Sequence, residues 1–203
     1  MRRYDNTTGH IIADYDGKLM LVDTGAAITF YDEYRGVRVN DLFRMLGQPL
    51  DGMLGMDKLQ GKVLSLTREG ICFNSLAPAG EGAPLYYLSG VPCLDIRINE
   101  IGCRAAVRTG ATASYVSDIL ISRDKYTRTV RDAQPHLGGF AVRMYANYFS
   151  VSDKNFFAEA GELPGESTSL SSIGVDAVIG TDLLDRFALI MDFSENWLHL
   201  LSN

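Results

Sequence analysis

A chain of 203 residues, 46% hydrophobic and 22% charged, is long enough to bury a core and has the composition of a globular protein, not a disordered one. Its net charge of −6 leaves no basic excess to replace the counterions of a phosphate backbone, so no nucleic-acid partner is expected. No stretch approaches the roughly 18 consecutive apolar residues of a membrane span, so no membrane partner is expected either.

The first eight residues, Met-Arg-Arg-Tyr-Asp-Asn-Thr-Thr, carry two arginines with no apolar run behind them, and no signal peptide is read there. His10 to Tyr15 and Lys18 to Val22 flank Asp16-Gly17, which predicts a hairpin. Asn40 is placed to cap a helix running through Leu46. Val63 to Leu66 and Ile71 to Phe73 flank a Glu69-Gly70 turn. Residues 74–90, rich in Ala, Pro and Gly, read as a linker. A second hairpin follows, with strands over Pro92 to Ile98 and Cys103 to Val107 and a turn over Asn99 to Gly102. Thr181 is placed to cap a helix through Phe187, and Leu189 to Phe193 and Trp197 to Leu201 flank Ser194 to Asn196. The chain is predicted to be mostly β.

Other chemistry finds little support. Cys72, Cys93 and Cys103 are odd in number and lack metal-ligand spacing, which predicts inert thiols in a reducing compartment and hence a cytoplasmic setting. His10, His136 and His199 have no ligand spacing, and no nucleophile elbow, P-loop or dinucleotide fingerprint is present, so no metal or cofactor is expected. The acidic pairs Asp32-Glu33 and Glu159/Glu162 read as solvated faces.

The chain repeats itself. Val-Asp-Thr-Gly-Ala at 22–26 returns as Val-Arg-Thr-Gly-Ala at 107–111, 85 positions later, and Thr29-Phe30 returns as Ser114-Tyr115. Asp-Gly-Met-Leu-Gly-Met-Asp-Lys-Leu at 51–59 returns as Asp-Ala-Val-Ile-Gly-Thr-Asp-Leu-Leu at 176–184, 125 positions later. Two motifs in the same order in both halves mark a duplication, with about 40 extra residues between the motifs of the second copy. The expected half-domains are 1–75 and 91–203, joined by 76–90.

Asp-Thr-Gly-Ala after an apolar strand, followed later by two apolar residues and Gly, resembles the pepsin and retropepsin families of aspartic proteases over nearly the whole chain. The resemblance implies a two-lobed, mostly β fold with pseudo-two-fold symmetry, each lobe lending one turn to the floor of a cleft. It implies a catalytic role for Asp23 with Thr24 and Gly25, and an equivalent turn at Arg108, Thr109 and Gly110. Leu54, Gly55, Ile179 and Gly180 match the strand that supports each turn. Thr24 and Thr109 are expected to hydrogen-bond across the lobes, and Ala26 and Ala111 to leave room beside them. The reaction needs two carboxylates sharing one proton.

Arg108 stands where the second Asp belongs. Arginine keeps its protons at any working pH and cannot act as a general base. Paired with Asp23, it would favour the carboxylate's charged form and abolish the shared proton; swung out to solvent, it would do nothing. Asp23 to Gly55 spans 32 positions and Arg108 to Gly180 spans 72, so no full flap is expected in the first lobe, while the second has room for one around Gly138 to Ser150, after Leu137. Tyr145 and Tyr148 there either line a peptide groove or pack as ordinary strand residues. The resemblance thus implies a degenerate peptidase, monomeric or homodimeric, that binds a peptide or protein partner. Two alternatives are an active endopeptidase drawing a second carboxylate from elsewhere or from a partner chain, and a scaffold whose cleft the Asp23–Arg108 pair closes.

Overall fold

A computed structural model describes residues 9–80, 82–134, 138–163, 170 and 172–203. The expectations placed on residues 1–8, His136 and Leu137 fall outside them.

The first repeat opens with β1 (Ile12–Tyr15) and β2 (Lys18–Val22), paired antiparallel through a turn in which Asp16 and Gly17 both have positive φ. Asp and Gly tolerate that left-handed backbone, and the resulting turn matches the right-handed twist of the strands. After the Asp-Thr-Gly turn come the two-residue strands β3 (Glu33–Tyr34) and β4 (Val37–Arg38), then α1 (Val39–Leu46). The helix starts one residue before Asn40, which therefore does not cap it; Arg38 holds the cap position without a side-chain bond, and Gly47 ends the helix in the left-handed conformation. β5 (Gly52–Leu54) then runs parallel to β2, and α2 (Met56–Leu59) leads to the hairpin of β6 (Val63–Thr67) and β7 (Gly70–Phe73).

Residues 74–90 are not a bare linker. They hold β8 (Ala83–Pro84) and β9 (Tyr86–Leu88), which pair with strands of the second repeat.

The second repeat opens with β10 (Val91–Ile98) and β11 (Ile101–Val107). Their turn is tighter than predicted. Asn99 and Glu100 alone make it, both with positive φ, and Asn99 is fixed there by hydrogen bonds to Leu120, Asn147 and Tyr148. β12 (Tyr115–Val116) and two short 3-10 turns precede a meander of β13 (Tyr126–Gln134), β14 (Gly138–Val151) and β15 (Lys154–Glu162). β16 (Ala177–Ile179) runs parallel to β11 as β5 does to β2. The helix predicted from Thr181 is a 3-10 turn over Thr181–Asp185, followed by the hairpin of β17 (Phe187–Asp192) and β18 (Trp197–Ser202).

The duplication is kept in the strand register. Leu21 pairs with Met53 and Ala106 with Val178, equivalent positions in the two copies. The isolated bridge Phe30–Met53 recurs as the pairing of Tyr115 with Val178. These residues pack at corresponding places in two separate apolar clusters, Leu21, Phe30 and Met53 in one and Ala106, Tyr115 and Val178 in the other.

A five-stranded sheet, in the order β7-β6-β17-β18-β8, joins the repeats. In its central antiparallel pair Leu64 faces Met191, Ser65 faces Ile190 and Leu66 faces Leu189. Ser65 and Ile190 are 125 positions apart, the repeat offset itself, so the pseudo-two-fold axis passes between them. A third apolar cluster under this sheet draws on both copies, including Val22, Leu54, Leu64 and Leu66 from one and Val107, Ile179, Leu189 and Met191 from the other. The fold is mostly β, in two lobes related by that axis.

The lobes differ in what lies between turn and supporting strand. The second has an eight-stranded sheet in which β14 also pairs with β10, through Arg97–Ser150 and Ile98–Phe149. That extra pairing closes a ring of strands. The first lobe fills the same interval with only β3, β4 and α1.

Candidate functional site

Each turn hangs from its supporting strand in the same way. The N–H of Asp23 donates to the carbonyl of Leu54 (3.0 Å), and that of Arg108 to Ile179 (2.9 Å). Ala26 N–H closes the first turn on the Asp23 carbonyl and Ala111 N–H closes the second on Arg108, both at 3.1 Å. The carbonyls of Ala26 and Ala111 then accept the N–H of Met56 (2.8 Å) and Thr181 (2.9 Å). Gly55 and Gly180 are required because backbone passes over them. A Cβ on Gly55 would lie 2.7 Å from the Ala26 carbonyl oxygen, and one on Gly180 2.4 Å from that of Ala113.

A carboxylate braces each turn, and sequence reasoning assigned it no role. Asp57 accepts the N–H (2.6 Å) and hydroxyl (2.7 Å) of Thr29, whose oxygen in turn accepts the Gly55 N–H (3.0 Å). Asp182 accepts the N–H (3.0 Å) and hydroxyl (2.8 Å) of Ser114, whose oxygen accepts the Gly180 N–H (3.1 Å). The signal lay in the repeated motif itself, whose second Asp recurs in both copies together with a Thr or Ser after the turn. Burial raises the Asp182 carboxyl to about 6, against the downward pull of the bonds from Ser114 and nearby backbone.

The turns meet at Thr24 and Thr109, both buried. Thr24 N–H donates to Thr109 Oγ1 (3.0 Å) and Thr109 N–H to Thr24 Oγ1 (3.1 Å). Each hydroxyl then donates across the lobes, Thr24 to the Val107 carbonyl (2.6 Å) and Thr109 to that of Val22 (2.7 Å). The expected contact across the lobes is thus present as four bonds exchanged between equivalent atoms.

Asp23 and Arg108 face each other beside this lock. Asp23 Oδ1 accepts the N–H of its own turn's Gly25 (2.7 Å) and the N–H of Gly110 from the opposite turn (3.3 Å). Arg108 Nη2 lies 3.6 Å from Asp23 Oδ2, an ion pair without a hydrogen bond. The Asp23 side chain is 9% exposed and that of Arg108 29%. Each charged side chain lies over the other turn's glycine. A Cβ on Gly25 would fall 2.0 Å from Arg108 Nε, and one on Gly110 2.4 Å from Asp23 Cγ.

The chain has a partial structural match to the crystal structure of aspartic proteinase from Irpex lacteus. That match has a TM-score of 0.45 and 11% identity, and covers 71% of this chain and 57% of the other. No protein-family model matches the sequence, and no curated protein does.

The remaining expected site residues lie elsewhere. Tyr145 is 2% exposed and stacks edge-on against Tyr126, so it offers a ligand no surface, contrary to one expectation for it. Tyr148, half-buried, packs against Phe157 across the strand pair. Gly138 to Ser150, where the sequence leaves room for a flap, lies in β14, the middle strand of the meander, paired on both sides. Tyr115 and Thr112, just after the second turn, hydrogen-bond Asp132 on β13. Glu159 and Glu162 are not bare solvated groups; Glu159 pairs with Arg128 on β13, across β14, and Glu162 with Arg143 on the adjacent β14. Burial pushes the Cys93 thiol up to about 11 and that of Cys103 to about 12, which leaves both inert. Among the described residues, no cluster of His, Cys, Asp and Glu is arranged to hold a metal, and no helix is long and apolar enough to cross a membrane.

Proposed function

We propose that this protein is a degenerate aspartic-protease homologue, with half-domains at 1–75 and 91–203, whose paired turns persist as the floor of a peptide- or protein-binding cleft while proteolysis is lost or severely weakened. The observation that carries the reading is the Asp23–Arg108 contact. It occupies the place between the two turns where the chemistry needs a second carboxylate. Arg108 has no proton to give up at working pH, so Asp23 has no partner with which to share one. Without that pair, neither activation of water nor protonation of the peptide carbonyl is provided for.

The symmetric machinery around the contact is nevertheless complete: the threonine lock, both braced turns and both close-packed glycines. That favours retention of a cleft over simple decay. It also makes the site repairable in principle, since Arg108→Asp would place a carboxylate on a turn already held in position.

The test is cleavage of casein and of pooled peptides over roughly pH 3 to 8, the range in which a carboxylate pair changes protonation. The unmodified protein should release no pepstatin-sensitive products, and should retain peptides on an affinity support. Arg108→Asp should gain acid-favoured, pepstatin-sensitive cleavage, and Asp23→Asn should remove that gain. Cleavage by the unmodified protein that Asp23→Asn abolishes would overturn the reading in favour of an active endopeptidase.

A further inference from the structure

Among the described residues, nothing accepts a hydrogen bond from the Arg108 guanidinium. Its one polar contact there is the 3.6 Å approach of Nη2 to Asp23 Oδ2, and its Nε is buried without a partner. A guanidinium has five N–H donors in a planar fork, and shutting them away from water unmade is costly. Asp23 does not depend on the arginine, because Gly25 and Gly110 already supply N–H donors to its carboxylate.

The orientation of the fork is also set. Nε, Cζ and Nη2 lie over Gly25, at 2.0, 2.7 and 2.8 Å from where a Cβ would be, so Nη1 is the guanidinium nitrogen furthest from that point. With 29% of the side chain exposed, the terminal nitrogens are the donors left for something entering between the turns. Two parallel N–H groups match the two oxygens of a carboxylate better than any other common acceptor.

We infer that the ligand of this cleft presents a carboxylate to Arg108, from an acidic side group within a peptide or from a peptide's free carboxyl end, so that Arg108 is held between that group and Asp23. The inference rests on the binding-cleft reading above and adds the chemical class of the ligand. It also explains what the replaced residue does, since the position that would have carried half of a proton-sharing pair becomes the anchor that selects an anionic ligand.

Three peptide pools test it on the immobilised full-length protein, with retained peptide quantified by mass spectrometry. All are N-acetylated pentapeptides with random flanks. One has a central Gln and an amidated end, one a central Glu and an amidated end, and one a central Gln and a free carboxyl end. At least one carboxylate pool should be retained about tenfold over the blocked Gln pool, the scale of a charge-assisted hydrogen bond. The pool preferred shows which source of carboxylate is used. Arg108→Gln should erase the preference, and Arg108→Lys, which keeps charge without the fork, should keep part of it. Circular dichroism of each variant confirms folding. Equal retention of all three pools, or a preference that survives Arg108→Gln, overturns this inference and leaves the cleft reading standing. Retention of no pool overturns both.

Discussion

Gly25 of the first turn lies so close beneath Arg108 of the second that a Cβ there would sit 2.0 Å from Nε. Gly110 holds Asp23 in the same manner, at 2.4 Å from Cγ, but the two contacts differ in what can yield. Arg108 meets Gly25 with the end of a long side chain, whereas Asp23 is short and tied to backbone N–H groups of both turns.

Gly25→Ala should therefore cost about 1–3 kcal/mol through overpacking, and most of that cost should vanish in an Arg108→Ala background. Gly110→Ala should cost a similar amount or more, and Arg108→Ala should not relieve it. Urea unfolding of the single and double variants reads both couplings. An equal cost for Gly25→Ala with and without Arg108 would show that the arginine is not what excludes a side chain there.

The Thr24–Thr109 lock predicts strong coupling. Thr24→Val or Thr109→Val each removes a hydroxyl that both donates and accepts across the lobes, leaving a buried N–H and a buried carbonyl without their partner. Each single change should destabilise by about 2–4 kcal/mol, and the double change by clearly less than the sum. Additive losses in a double-mutant cycle would contradict the shared network.

Removing the two members of the ion pair should have unequal effects. Arg108→Ala gives up a contact longer than a hydrogen bond from a side chain almost a third exposed, so it should cost no more than about 1 kcal/mol. Asp23→Ala removes the acceptor of the Gly25 and Gly110 N–H groups and leaves Arg108 without its counter-ion, so it should cost about 2–3 kcal/mol. Thermal melts of the two variants beside the parent decide the order, and a larger loss for Arg108→Ala would show that the pair is tighter than its geometry.

Asp182 predicts a pH dependence. Burial raises its folded-state carboxyl from the ordinary 3.8 to about 6, while Ser114 pulls it back only in part. Between those values the folded protein binds the proton that the unfolded one has released. The Asp182 contribution is therefore fully present below about pH 3.8 and is lost as pH rises towards about 6, with a slope no steeper than about 1.4 kcal/mol per pH unit. Asp182→Asn should flatten the stability profile across that window. Asp192 acts below it: burial resists ionisation, but bonds from Ser194 and Glu195 and the nearby His199 hold its carboxyl under the usual value, so its contribution is lost only in stronger acid. Parallel profiles for Asp182→Asn and the parent from about pH 4 to 6 would sink the assignment.

Much of the fold was legible in the residues because it is local or repeated. Asp16-Gly17 predicts its hairpin, since only residues that tolerate positive φ suit a two-residue turn. Two motifs recurring in order predict the duplication, and with it the equivalence of Thr24 with Thr109 and of Gly55 with Gly180. The resemblance to a known family supplied the expectation that the turns face each other, which no periodicity contains. Non-local pairing was not legible. The short strand over Ala83–Pro84 exists because Trp197 and Leu198, far along the sequence, present an open edge to it, and its composition alone reads as linker. Tyr86–Leu88 instead pairs with the adjacent Val91–Cys93 through a two-residue Ser89-Gly90 turn of positive φ, a local signal inside the same stretch. Tyr145 gives no sign of its burial, because which face of β14 turns inward depends on the ring that β14 closes with β10. Asp57 and Asp182 were visible as repeated letters, but their work as braces appears only once Thr29 and Ser114 are folded back onto them. Above all, the sequence determined that a cation stands at residue 108, at the position equivalent to Asp23 in the first copy. Only the tertiary structure decided that this cation reaches Asp23 without hydrogen-bonding it, because a long side chain takes its direction from the backbone it must clear, here the bare face of Gly25.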